Sequence, residues 1–405
     1  MTDLLYPGDE RAGNLFSDRA LVDALVGVEQ AWLDSLVGAG VAPPQAQADL
    51  IGLVGDADTP DLSLDAEDGG NVVIPLLAVL RGRVPDECGR WLHRGLTSQD
   101  VLDTALVLCL RATVAQVLGD IRAQVEALTR LAEEHRGSVQ AGRTLGQHAV
   151  PTTFGAVAAG WLRGVLDASD YLRAAADELG AQAAGAAGTS AAADLLAPGK
   201  SVALTTDFAA RLGLLPDVAW HTRRRALTLV ADGFVGCTDV WGKIAGDVVL
   251  RSRPEIAELA ELRGGGSSTM PHKSNPVLST LIRRTAFGAP LAAAELHLCA
   301  AHAEDERPAG AWQAEWPALR RLGRGTAVAA SLTAELLAGL QVDVERMRQT
   351  ANAAAGDLLA EQHALAPLVG ASPATDPADY LGDIDHIVDE ALHRAQDWMY
   401  DHDHT

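Results

Sequence analysis

Aromatic side chains are scarce: Phe, Trp and Tyr supply 4% of the 405 residues, although hydrophobic residues make up 48%. With few rings to fill volume, alanine, leucine and valine must do the packing. Alanine and leucine are the best helix formers, and small side chains let helices approach closely, so the composition predicts an all-α protein. Cysteine is as sparse. Cys88, Cys109, Cys237 and Cys299 are widely spaced without a CxxC pair, which argues against a zinc site or a disulfide framework. They read as buried or idle thiols of a reducing compartment.

Positive charge is also short, with 32 Lys and Arg against 54 Asp and Glu and a net charge of −22. That balance argues against nucleic acid, whose phosphates need a basic face. It leaves room for an anionic substrate gathered by a few local cations. No run of eighteen or more strongly apolar residues is evident, so no membrane span is expected. The opening "MTDLLYPGDERAGN" has acidic residues where a secretory signal needs basic and then apolar ones. The expectation is a soluble, cytoplasmic chain, and its length is enough for two or three domains.

What is present in quantity is helical periodicity. Ser17 is a good N-cap, and Leu21, Leu25, Val28, Trp32 and Leu36 then fall on one face of a helix over 17–40. The acidic stretch 55–70 reads as a surface connection, with a helix resuming after Asn71 and Pro75 in its first turn. Long helices are expected over 99–135, 151–180, 223–262, 276–303 and 311–340. Leu102, Leu106, Cys109, Val117, Ile121, Val125 and Leu128 mark the first of them. Such lengths exceed the usual ~3 turns and suggest an elongated bundle. A surface that is apolar nearly all round suggests an oligomer. No internal repeat and no strand-rich segment is apparent. The tail beyond 342 reads as shorter helices, with "YDHDHT" frayed and His393, His402 and His404 solvated. Trp312 and Trp316, spaced i, i+4, read as packing.

Polar chemistry concentrates at long-helix boundaries. "GGGSSTMPHKSNP" (264–276) packs glycines, serines, a histidine, a lysine and an asparagine between two prolines. It lacks the Gly-Lys-Ser/Thr of a phosphate-binding loop, and composition alone fits a flexible linker equally well. "HRGLTSQD" (93–100) places Thr97 and Ser98 where they can cap a helix and offer hydroxyls and N–H groups to an anion. "GRTLGQHAVPTTFG" (142–155) adds Arg143, Thr144, Gln147 and His148. Three such segments suit a bundle enzyme with a shared end-site.

"GGSSTMPHKSNP" resembles the signature loop of the fumarase/aspartase superfamily, "GLTSQD" its first conserved region and "RTLGQHAVPTTFG" its second. The resemblance covers roughly residues 10 to 345. Within the superfamily the chain is most similar to the bacterial 3-carboxy-cis,cis-muconate cycloisomerases, by "LFSDRALVDALVGVEQAWL", "TSQDVLDTALVLCLR", "PTTFGAVAAGWL" and "ERPAGAWQAEW". The resemblance implies an all-helical three-domain protomer: residues 1–96, a long-helix bundle over 97–341, and a small domain over 342–405. It implies a homotetramer in which three subunits supply the three motif regions of each site. Ser267 matches the general base, and Lys273 and Asn275 match residues that bind or support a carboxylate. Thr97, Ser98, Thr144 and Gln147 match substrate contacts, and Arg307 matches an arginine near the substrate.

The implied chemistry needs no metal or organic cofactor. A serine base removes a proton alpha to a carboxylate, and donors stabilise the resulting aci-carboxylate. The expected reaction is lactonisation of 3-carboxy-cis,cis-muconate in aromatic-compound breakdown. The alternatives are a lyase releasing an amine, nitrite or similar group from a substituted succinate, and a non-catalytic helical relative. Several positions depart from the pattern. Leu145 follows Thr144 where many lyases have histidine, which leaves His148 as a substitute or a structural residue. Ser274 stands where arginine is expected, Arg94 where tryptophan is usual, and Arg223, Arg224 and Arg225 replace a mixed run. These changes leave the reaction class intact and the substrate open.

Overall fold

The computed structural model describes residues 4–217, 219–266, 269–270 and 273–404. It is mostly helical. In chain order the elements are α1 (Asp18–Gly38), α2 (Thr59–Gly69), α3 (Val73–Arg83), α4 (Asp86–Trp91) and the long α5 (Ser98–Glu134). A hairpin of β1 (Val139–Thr144) and β2 (Gln147–Thr153) leads to α6 (Phe154–Ala176). Then come β3 (Gly180–Ala181), α7 (Ala191–Leu196), α8 (Ser201–Leu212), β4 (Leu215–Pro216) and α9 (Arg225–Arg251). β5 (Leu259–Glu261), α10 (Val277–Ala301), α11 (Ala311–Ala338) and β6 (Leu340–Val342) follow. The chain closes with α12 (Val344–Ala353), α13 (Ala355–Leu358), α14 (Ala360–Leu365) and α15 (Ile384–His404).

Residues form two compact units. One comprises the chain up to Gln116, Tyr171–Val235 and Gly288–Val328; the other comprises Val117–Asp170, Gly236–Phe287 and the chain from Ala329 onward. Helices α5, α6, α9, α10 and α11 contribute to both. Every marker residue of the α5 stripe is buried. This helix is long and apolar enough to cross a membrane, but 67% of its most apolar stretch is buried inside the protein. It is a core helix.

In the first unit, Ser17 caps α1 by accepting the Ala20 N–H at 3.1 Å, and α1 packs on α8. Trp32 meets Phe208 edge-on at 5.5 Å, and its indole donates to the Arg94 carbonyl at 2.7 Å. A Cβ on Gly95 would stand 3.3 Å from the Trp32 ring, and its φ of +92° is one that other residues rarely adopt. The scarce aromatics therefore pin the backbone just ahead of the first motif. In the second unit, Phe154 lies edge-on to Trp161 at 5.7 Å, and Trp241 donates to Gln124 at 2.8 Å.

Three local expectations are corrected. Residues 59–69 form α2 rather than a bare connection, because Pro60 sits in its first turn and Gly70, at φ +65°, ends it. The segment before α6 is a β-hairpin, with Pro151 inside β2, and the helix starts at Phe154. Thr153 caps it by accepting the Ala156 N–H at 3.1 Å. The carboxyl end stays helical to His404, and the His402 ring stacks on Trp398 at 3.5 Å.

All four cysteines are free and buried, as the sequence suggested. Burial pushes the Cys109 and Cys237 thiols up to about 12 and raises those of Cys88 and Cys299. Since the thiolate is the reactive species, Ellman's reagent at pH 8 is expected to leave the native thiols unmodified. After denaturation it should titrate all four.

Candidate active site

The first motif opens α5. Asp100 reaches back from the first turn and accepts the Thr97 N–H at 2.9 Å, one half of a capping box. The Thr97 hydroxyl is therefore not consumed by capping. It accepts a hydrogen bond from Arg307 Nη2 at 2.6 Å, while Arg307 Nε donates to Gln99 Oε1 at 3.2 Å. Thr97, Ser98 and Arg307 thus gather at the α5 N-terminus, where backbone N–H groups favour an anion. His93 takes φ +65° and hydrogen-bonds the fully buried Glu29 at 2.7 Å, so it serves the turn.

Beneath this surface lies a charged cluster that sequence reasoning missed. The fully buried Asp103 accepts from Arg224 Nη1 at 2.7 Å and Nη2 at 3.1 Å, and from the Trp312 indole at 2.8 Å. It also accepts from Gln182 at 3.0 Å and Gln99 at 3.2 Å. Arg224 donates to Glu315 through Nε at 3.0 Å and Nη2 at 2.5 Å. Asp100 adds bonds from the Ala184 and Gly185 N–H groups, at 3.0 and 2.9 Å, and from His221 Nε2 at 2.8 Å. Burial opposes the Arg224 charge, but the adjacent Asp103 and Glu315 carboxylates outweigh it and hold the guanidinium protonated. Burial also raises the Glu315 carboxyl, against the pull of Arg224 and with the push of Asp103. Two aspartates three residues apart at the head of an apolar helix were the available signal. The arginine run divides accordingly: only Arg224 is buried, while Arg223 and Arg225 are exposed and pair with Asp217 and Glu178.

In the second unit, the β1–β2 hairpin pairs Thr144 with Gln147 and Arg143 with His148. Its two-residue turn is Leu145 at φ +51° and Gly146 at φ +79°, the left-handed pair that tight hairpins require. Paired residues share a face and neighbours alternate. Thr144 and Gln147 therefore stand on one side of the hairpin, with Arg143 and His148 on the other. Arg143 grips the fully buried Glu258 through two bonds, at 2.6 and 2.9 Å. Leu145 is wholly exposed at the tip.

The glycine-rich loop is closed at its neck. Gly265 and Asn275 exchange two backbone hydrogen bonds, both 2.8 Å, and the Asn275 amide donates to the Gly266 carbonyl at 3.3 Å. A Cβ on Gly265 would lie 2.0 Å from Val277 Cγ2, and one on Gly264 would lie 1.8 Å from Ser274 Oγ. Close approach, rather than mobility, explains these two glycines. Below the neck, Glu261 accepts the Leu278 and Ser279 N–H groups at 3.0 and 2.8 Å, which places a carboxylate on the positive end of α10. β5, which carries Glu261, pairs antiparallel with β6. Lys273 is exposed. Ser267, the expected base, lies outside the described residues, as do Ser268, Pro271 and His272. Thr97, Ser98 and Arg307 belong to one compact unit, and Thr144, Gln147, Lys273 and Asn275 to the other.

The family model described as Lyase matches residues 69–290. The chain belongs to the fumarase/aspartase superfamily. It is 40% identical over 380 residues to the nitrosuccinate lyase of Streptomyces davaonensis, covering 88% of this chain and 78% of that one. It is 36% identical over 391 residues to the 3-carboxy-cis,cis-muconate cycloisomerase of Bradyrhizobium diazoefficiens, covering 93% and 83%. The crystal structure of the 3-carboxy-cis,cis-muconate lactonizing enzyme from Pseudomonas putida superposes with a TM-score of 0.87 at 29% identity, covering 96% and 97%. This lyase-superfamily chain is therefore an enzyme of the lyase and cycloisomerase group.

Glu261 is a direct test of the loop scaffold. An N-terminal acceptor of this kind contributes ~1 kcal/mol. Glu261→Ala is expected to lower the melting temperature by a few degrees while reducing turnover at least tenfold, read by a thermal scan and steady-state kinetics on the same preparation.

Proposed function

We propose that the chain cleaves a substituted succinate by serine-base β-elimination, with nitrosuccinate as the leading substrate and fumarate and nitrite as products. Ser267 removes the proton alpha to one carboxylate, and the electron pair is held as an aci-carboxylate. The pair then forms the alkene as the adjacent C–N bond breaks and nitrite departs, and Ser267 returns its proton to solvent. Lys273, the loop N–H groups and Asn275 stabilise the developing charge. Thr97, Ser98 and Arg307 hold one carboxylate, and Thr144 and Gln147 hold the other end of the substrate.

The observation that carries this reading is Leu145. The second motif presents an apolar side chain between Thr144 and Gln147, and His148 stands on the opposite side of the hairpin. A leaving group there must depart as a stable anion without an acid, which suits nitrite and does not suit an amine. Ser274, where a cation is expected, favours a substrate with two carboxylates over one with three, and the 40% identity agrees. The second reading is lactonisation of 3-carboxy-cis,cis-muconate, whose leaving carboxylate in the reverse direction also needs no acid. The 36% identity and the superposition favour it.

The same reading includes a three-domain protomer and a homotetramer that joins the two groups of motif residues. Phe287, Leu291 and Leu298 support it, since they share an outward face of α10 and are 69%, 73% and 63% exposed. An apolar stripe of that kind calls for cover.

Nitrite release and fumarate absorbance with nitrosuccinate, beside loss of diene absorbance with 3-carboxymuconate, distinguish the two substrates. Ser267→Ala should lower the productive reaction at least ~100-fold, as expected for loss of an acid–base group; undiminished activity would remove serine from the mechanism. Light scattering should return four times 42.3 kDa, and Phe287→Glu with Leu291→Glu should yield smaller, inactive species.

A further inference from the structure

An apolar chamber in the first unit has no part in the chemistry above. It is a cavity of about 540 Å³ walled by α1, α2, α5 and α11, with Leu21, Leu25, Leu62, Leu102 and Leu106 in its lining. That volume is ordinary for a site that encloses a small organic molecule. Trp316 adds only a carbon wall: the residue is half-buried, but its indole nitrogen has no open surface. None of the lining residues is among the candidate catalytic or substrate-binding set.

The polar groups of the chamber lie along α2. Thr59, Ser63 and Glu67 line it at four-residue spacing, so they form one stripe of that helix. Each offers an oxygen that accepts hydrogen bonds. The helix carries Asp61, Asp65, Glu67 and Asp68 and neither lysine nor arginine. Glu67 stands in its last turn, where the helix carbonyls add negative potential. It is exposed and meets no cation among the described residues. The charges on α1 and α11 already cancel, since Arg320 Nη2 donates to Asp18 at 2.6 Å. Of the three charged residues in the lining, one carboxylate is thus left without a counter-charge.

That remainder selects the ligand. An anion is repelled, and a cation with an apolar body matches both the leucine walls and the free carboxylate. A primary ammonium brings three donors and no acceptor, which suits Glu67 with the Ser63 hydroxyl one turn back. The net charge of −22 also draws cations toward the surface. We propose that this cavity is a binding site for a small hydrophobic primary ammonium, separate from the polycarboxylate site and independent of which polycarboxylate is turned over.

Calorimetric titration of the full-length protein with tryptamine tests this, beside its neutral and anionic counterparts tryptophol and indole-3-acetate. Salt is held at roughly 0.15 M, where diffuse surface attraction is screened. The expected result is one tryptamine site per chain, undisturbed by saturating fumarate, with tryptophol bound roughly tenfold more weakly and indole-3-acetate not at all. Glu67→Gln, which keeps the shape and removes the charge, should weaken tryptamine roughly tenfold, as for loss of a hydrogen bond between charged groups. Ala66→Trp, which fills the chamber from α2, should abolish binding; Ser63→Trp on the same helix serves if that variant does not fold. Absence of saturable binding, displacement by fumarate, either counterpart bound as tightly as tryptamine, or affinity unchanged in Glu67→Gln or in the filling variant would overturn the proposal.

Discussion

One guanidinium organises the first motif. Arg224 lies buried between Asp103 and Glu315, and Asp103 in turn collects Gln99, Gln182 and Trp312. Taking three charges out of water is expensive, and removing one partner of such a cluster costs ~3–5 kcal/mol because the others are left unpaired. A hydrophobic replacement would often be as stable. The return is orientation: Gln99, fixed by Asp103, holds Arg307 Nε, and Arg307 holds the Thr97 hydroxyl. A flexible arginine at the head of α5 is thereby held in one orientation, which lowers the cost of ordering it for any anion it meets.

The second unit solves the same problem with carboxylates on backbone and hairpin. Glu258 holds Arg143 at the base of the Thr144–Gln147 hairpin, and Glu261, three residues later, caps α10 where the glycine-rich loop rejoins the helix. With the Gly265–Asn275 pair closing the neck, both ends of the loop that bears Ser267 are fixed. In each unit, buried acids position the polar groups of the motifs. Acidity, so dominant in the composition, is put to use inside the fold as well as on its surface.

The long helices were legible in the sequence because small apolar residues recur at helical spacing without interruption, as in Leu102 to Leu128. The three motifs were legible because polar residues, glycines and prolines cluster at helix boundaries. The β-hairpin was not, since its six- and seven-residue strands carry Arg, Thr, Gln and His rather than an alternating apolar pattern, and Pro151 reads as a helix start. The buried cluster was hidden for another reason. Asp103, Arg224 and Glu315 are separated by 121 and 91 positions, and only the tertiary fold brings them within bonding distance. Likewise nothing in "WHTRRR" distinguishes the buried Arg224 from its exposed neighbours.

The account turns on Asp103 acting on the substrate grip and not merely on stability. Asp103→Asn keeps the shape and removes the charge, so kcat and KM for whichever substrate is turned over, measured beside the melting temperature, test it most directly. The account predicts a KM raised at least tenfold with kcat changed by no more than a few-fold, and Thr97→Ala adding little further. An unchanged KM in a destabilised protein would contradict it and leave the cluster a structural one.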